Sequence, residues 1–226
     1  YKERASKHKN SFVKYGQLGF SQSDEDGITK EIIRRLKINN GTFAEFGVGT
    51  GVENNTLLLL AMGWNGFWVG GENLGFNVEH SNRLSFQKAW VTKDNIVDLF
   101  NNGLKMLGKI QTDVISIDLD GNDYFFCNEL LKNGALPSLF IVEYNARFAP
   151  PIRFSIDYNE SHEWLLDDFY GASLQSFVDL FDKYKYSLKF ILTSLRETLN
   201  LDKVYFLDNF DQSSVCLLYT SDAADD

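Results

Sequence analysis

The residues best suited to chemistry cluster in Thr42–Thr56, TFAEFGVGTGVENNT. Glu45 stands two residues before Gly47, and Gly49 and Gly51 follow at the same spacing, giving E-x-G-x-G-x-G. Phe43, Ala44 and Phe46 read as a short buried strand. Glu53-Asn54-Asn55-Thr56 reads as a polar helix start, and Leu57–Met62 as an apolar helix. A strand that ends in glycines and turns at once into a helix brings backbone N–H groups and a helix N-terminus up to a ligand. Glycine belongs there because a Cβ would block that approach. A dinucleotide-binding turn has the spacing G-x-G-x-x-G and keeps acids out of the loop that holds the pyrophosphate. Glu45 breaks that pattern. It suits a ligand with a cationic amino group and no phosphate, such as the methionine part of S-adenosylmethionine. An ordinary β–α turn would leave the same glycines without a ligand.

A second cluster is Asp118-Leu119-Asp120-Gly121-Asn122-Asp123, at the end of an apolar run. Asp118 and Asp120 point the same way if the strand continues, and Asn122 follows on the turn. Asp118, Asp120 and Asn122 could therefore hold Mg²⁺ or Ca²⁺ through hard oxygen ligands, or orient a substrate hydroxyl. Alternatively, Asn122 or Asp123 only turns the chain and caps the next helix. No EF-hand is implied, because the Glu expected at loop position 12 is absent. Glu72, after the second apolar run, is the candidate for ribose hydroxyls, with a solvated loop acid as its plain alternative. His162 lies between Glu160 and Glu163 in an aromatic, irregular stretch. Its imidazole titrates near working pH and could take a proton from a hydroxyl, or it could simply be exposed. His80 falls on an expected helix and is read as a surface residue. No G-x-S-x-G, H-E-x-x-H or P-loop is present, so hydrolase and kinase chemistry have no support.

The elements that position these groups alternate strand with helix, which implies a parallel sheet covered on both faces. Ile28–Ile38 keeps helical spacing behind a Ser/Asp-rich start. Gly66–Gly70 is the second expected strand, Phe76–Lys88 a helix, Ala89–Thr92 a short strand and Asn95–Leu107 a helix. Asp113–Asp118 is the next strand, Tyr124–Leu131 a helix, Leu139–Tyr144 a strand and Leu174–Tyr184 a helix. Tyr186–Leu192 and Val204–Leu207 read as a closing antiparallel pair. Residues 145–170 show no clean period but carry Phe148, Phe154, Tyr158, Trp164, Phe169 and Tyr170. A long, aromatic segment of this kind reads as a lid. Its acids and amides suit a polyhydroxylated substrate.

With 226 residues, 44% apolar and 23% charged, the chain has the composition of one globular domain. No apolar run reaches membrane-spanning length. Residues 1–19 form a basic arm, and the absence of an initial Met points to a missing start. Residues 216–226, CLLYTSDAADD, read as translated sequencing-adapter sequence, so native sequence is expected to stop near Val215. Without Asp222, Asp225 and Asp226 the net charge moves from -9 to -6. That still argues against a nucleic-acid partner. The one remaining cysteine, Cys127, allows no disulfide framework and points to a reducing, cytoplasmic compartment.

The chain resembles the FkbM-like S-adenosylmethionine-dependent methyltransferases, in particular a bacterial subgroup met near surface-polysaccharide genes. The resemblance covers about Phe20 to Leu207. It rests on SQSDEDG (Ser21–Gly27), EFGVGTG (Glu45–Gly51), GWNGFWVGGE (Gly63–Glu72), SIDLDGNDYF (Ser116–Phe125), IVEYNARFAPP (Ile141–Pro151) and YGASL (Tyr170–Leu174). It implies an α/β, Rossmann-like doubly wound fold with a seven-stranded class I methyltransferase sheet whose last strand is antiparallel. It also implies methyl transfer to an oxygen, such as a sugar hydroxyl. By the same resemblance Glu45, Gly47, Gly49 and Gly51 line the donor pocket, and Asp118 and Asp120 face donor or acceptor. One departure stands out. Where the pattern W-[IV]-E-G has an acid, this chain has Trp68-Val69-Gly70-Gly71, with Glu72 two residues late. A nicotinamide-dependent oxidoreductase and a non-catalytic donor-binding relative are the alternatives.

Overall fold

In the computed structural model, which describes residues 13–21, 25–165, 167–192 and 203–208, the apolar runs form one sheet. Its strands are β1 (Thr42–Phe46), β2 (Asn65–Gly70), β3 (Leu84–Lys88), β4 (Val114–Ile117), β5 (Leu139–Glu143), β6 (Tyr186–Leu192) and β7 (Lys203–Asp208). They lie in the order β3-β2-β1-β4-β5-β7-β6. β1 to β5 are parallel neighbours, and β7 runs antiparallel to both β5 and β6. The helices are α1 (Glu25–Leu36), α2 (Leu57–Ala61), α3 (Ile96–Leu107), α4 (Asp123–Lys132) and α5 (Leu174–Lys183). The basic arm up to residue 12, most of the polar lead into α1 and the tail from residue 209 lie outside the described residues.

Because side chains alternate along a strand, each central strand feeds two cores. Ala44, Phe46, Phe67, Val69, Ile115, Ile117, Phe140 and Val142 pack with α3, α4 and α5 residues such as Phe100, Cys127 and Phe177. Phe43, Trp68, Val114, Leu139 and Ile141 pack on the other face with Ile28, Ile32 and Ile33 of α1 and Leu59 of α2. Strands buried on both faces are continuous apolar runs, as a parallel sheet requires. α3 ends on Gly108 in the left-handed conformation at φ 64, so its stop is set by the glycine.

Two expected elements differ. Phe76–Lys88 is not a helix: residues 76–83 are turns, and Leu84–Lys88 is the edge strand β3. Local side chains compete with a helix there. The Asn77 side chain accepts from the Glu79 amide, and Ser81 Oγ accepts from the amides of Arg83 and Leu84. Leu84 and Phe86 then point into the α1 side of the core, in parallel register with Gly66 and Trp68. His80 accordingly lies in a turn, exposed, and not on a helix. The expected strand Ala89–Thr92 is the loop that leaves β3.

Candidate active site

The order of the sheet reverses direction between β1 and β4, and ligands in open α/β sheets bind in the crevice beyond such a switch point. Both motif clusters end there. Gly47 sits at φ +94, and a Cβ on it would lie 1.7 Å from the Asp118 carbonyl oxygen, so the glycine lets the two strand ends touch. Gly51, at φ +82, is hemmed in by Leu74 and Trp68. Gly49 differs: nothing lies within 4 Å of the place its Cβ would occupy. Two of the three glycines answer to packing. The third faces open space.

Glu45 is 2% exposed, on the α1 side of the sheet. One carboxylate oxygen accepts from the Asn55 amide at 2.9 Å, the other from the Thr56 amide at 3.0 Å and from Thr56 Oγ1 at 2.5 Å. Trp68 Nε1 donates to Thr56 Oγ1, and Asn55 Nδ2 donates to Ser116 Oγ. Glu45 therefore ties the glycine loop to the strand it leaves and satisfies amides at the start of α2. Burial pushes its pKa up to about 7, against the downward pull of the Thr56 and Asn55 bonds. A carboxyl shared in this way orders the loop.

Asp123 does the same for the second loop. Its carboxylate accepts from the amides of Leu119 and Gly121 at 2.8 and 2.9 Å. Burial, followed by the charge of Asp118, raises its pKa to about 6. Asp118 is half-buried and Asp120 is exposed at φ 54. The carboxylates of Asp118, Asp120 and Glu143 lie within 4.8 Å of one another, a spacing a divalent cation could bridge. Asn122 was expected among these ligands; its side chain instead donates to the Asn159 carbonyl at 2.8 Å and accepts from the Asn159 amide. Glu143, a polar strand end in the sequence, was not expected among these ligands. The register could have found it, since Ile117 pairs with Val142 and the next residues on the two strands are Asp118 and Glu143.

Segment 145–170 covers these strand ends. Asn145 Nδ2 donates to the carbonyls of Asp168 and Tyr170, tying the two ends of the segment together. In its middle, Tyr158 accepts from the Lys93 amide and packs on Phe125, and Asn159 meets Asn122. Glu160 accepts the indole N–H of Trp90 at its carbonyl. The His162 ring lies on Gly121, where a Cβ would stand 2.2 Å from its Cδ2. His162 Nε2 is buried without a hydrogen-bond partner. The structure thus brings His162 to the Asp118–Asp120 turn. Glu72 stays outside this assembly, exposed on the loop after β2, and no described hydrogen bond or ion pair engages it. Gly70 faces the glycine loop instead, its missing Cβ 3.5 and 3.7 Å from the amides of Val48 and Gly49.

No protein-family model matches this chain, and no curated protein matches it in sequence. Solved structures do match its fold. A candidate hemolysin from Streptococcus thermophilus aligns with a TM-score of 0.54 at 13% identity, over 85% of this chain and 69% of its own. The magnesium protoporphyrin IX methyltransferase from Synechocystis PCC 6803, solved with bound S-adenosylhomocysteine, gives 0.52 at 10% identity over 81% of each chain. A candidate RNA methyltransferase from Pyrococcus horikoshii gives 0.50 at 13% identity, over 92% of this chain and 98% of its own. The fold is that of the class I methyltransferases, with five parallel strands at its centre. At these identities the likeness is one of fold. No helix among the described residues is long and apolar enough to cross a membrane.

Proposed function

We propose that this chain is an S-adenosylmethionine-dependent O-methyltransferase of the FkbM-like kind, acting on a saccharide-type or other small hydroxylated acceptor in a bacterial cell. The observation that carries the reading is the glycine loop at the β1–β4 switch point, with Gly49 open to the crevice and Gly47 packed on Asp118. The donor, when bound, supplies an electrophilic methyl on a sulfonium, whose C–S electron pair returns to sulfur as the acceptor oxygen takes the methyl. The chain's own work is then placement and removal of one proton. The amides after Gly47 and the end of β1 hold the donor. Asp118 orients donor or acceptor across the switch point. The Asp118 or Asp120 carboxylate, or His162 Nε2 on the neighbouring Gly121, takes the hydroxyl proton. Segment 145–170 excludes water as a lid.

Glu45 supports the donor loop from beneath in this reading, with both oxygens on Asn55 and Thr56. Ribose recognition falls to Glu72 or to the space beside Gly70. Asp118, Asp120 and Glu143 are the residues that would hold Mg²⁺. Calorimetric titration with S-adenosylhomocysteine, with and without Mg²⁺, tests the proposal. Micromolar binding that Gly49→Val abolishes is the expected result, and a folded chain with no binding overturns it.

A further inference from the structure

The loop that carries His162 also borders an open surface hollow of about 370 Å³, lined by Trp90, Glu160, Ser161 and Glu163. Trp90 leaves β3 and is 54% exposed, although large aromatic surfaces are normally covered. Its orientation is nevertheless fixed. The indole N–H donates to the Glu160 carbonyl at 2.8 Å, and its backbone carbonyl accepts from Asn95 Nδ2 at 2.8 Å. The ring lies against Gly71, whose missing Cβ would stand 3.6 Å from it. A face held in place and left bare is a platform.

The polar inventory around that face is one-sided. The indole N–H is already spent on Glu160, and the two glutamates offer only acceptors when ionised. Neither Glu160 nor Glu163 has an ion-pair or hydrogen-bond partner for its carboxylate among the described residues. Ser161 contributes the one hydroxyl. Two lysines close to Trp90 in the chain are engaged elsewhere: Lys93 is held over the rings of Phe125 and Tyr158, with its Nζ 5.7 and 4.9 Å from their centroids, and Lys88 Nζ donates to Asn73 Oδ1. A neutral polyol needs donors as well as acceptors from its site, and an anion would meet two carboxylates. An ammonium group brings three donors and no acceptor, and an aromatic face attracts it.

We propose that this hollow is a subsite for a cationic amino group on the acceptor, seated on the Trp90 face between Glu160 and Glu163. As a statement about the acceptor it rests on the methyltransferase reading; as a binding site it does not. His162, between Ser161 and Glu163 in the chain, turns its ring to Gly121 at the acid-lined strand ends, so one loop borders both the hollow and that turn. In this proposal an acceptor with its amine on Trp90 extends along that loop towards the strand ends.

The test uses the full chain labelled with 5-fluorotryptophan and reads the Trp90 resonance, assigned with Trp90→Phe. Glucosamine, glucose and glucose 6-phosphate serve as matched probes, each titrated with and without S-adenosylhomocysteine. Glucosamine is expected to shift the Trp90 signal and saturate at about tenfold lower concentration than glucose, with no response to the phosphate. Glu160→Gln with Glu163→Gln should weaken glucosamine at least tenfold and leave the fold intact, since both side chains are exposed. Equal responses to glucose and glucosamine would overturn the proposal in favour of a polyol site, and no response at Trp90 would overturn it outright. Failure of S-adenosylhomocysteine to bind would count against the donor reading alone, because the glucosamine response does not depend on it.

Discussion

At the scale of single residues, the three loop glycines separate folding from function. Gly47→Ala places a methyl into the Asp118 carbonyl at a positive φ and should cost about 3 kcal/mol or more of stability, read by denaturant unfolding. Gly49→Ala meets no neighbour, so it should cost only about 1 kcal/mol for its left-handed backbone. Its effect should fall on S-adenosylhomocysteine affinity, about tenfold or more. Equal losses of stability at both positions would contradict the assignment of the open face at Gly49. Gly70→Glu tests the displaced acid. Its backbone is not left-handed, and the tightest contact of the new Cβ is the Val48 methyl at 3.0 Å. A carboxylate there should tighten donor binding about tenfold if ribose lies beside it. The pKa of Glu45 gives a further test, because the folded chain holds that proton to about 7 whereas an unfolded glutamate releases it near 4.3. Between those values the folded state binds more protons, so this group's contribution to stability falls as pH rises through the window. Glu45→Gln should flatten that fall in Tm between pH 4.5 and 7, whatever it does to the absolute value.

At the scale of elements, the loops are held by carboxyls and amides belonging to the strands and helices they join. Asn122 is the clearest case, since it starts α4 and also holds segment 145–170 through Asn159. Asn122→Ala should raise hydrogen exchange in residues 158–163 about tenfold and leave the sheet's protection unchanged. Exchange that rises everywhere would mean the asparagine supports the core instead. This second role was not legible in DGND, because a turn signal says nothing about what crosses above it. The strands β1, β4 and β5 were legible, since a strand buried on both faces is a continuous apolar run. β3 was not. Leu84-Ser85-Phe86-Gln87-Lys88 is a half-buried edge strand that reads equally as part of a helix from Phe76, and the Ser81 turn that ends that alternative is a local bond without a strong signal. The E-x-G-x-G-x-G loop and its acid were legible as a unit, whereas the attachment of Glu45 to Asn55 and Thr56 needed the fold. The grouping of Glu143 with Asp118 and the role of Trp90 were not legible, because each depends on a neighbour distant in sequence, Asp118 across β4–β5 and Glu160 on the covering segment.

At the scale of the molecule, one sheet carries two loops of different construction to the same crevice, and an aromatic segment is fastened over the acid loop. The glycine loop is drawn down onto β1 by Glu45, and the acid loop is drawn together by Asp123. Both supporting acids are buried, which raises their pKa values, whereas Gly49 above them faces open space. The central claim is that a methyl donor lies in that opening. Hydrogen exchange of the full chain, with and without saturating S-adenosylhomocysteine, tests it most directly because it reports where the ligand sits. Protection confined to residues 47–56, 118–123 and 158–163 is the predicted result. Binding without protection at the glycine loop, or protection elsewhere on the sheet, would contradict it.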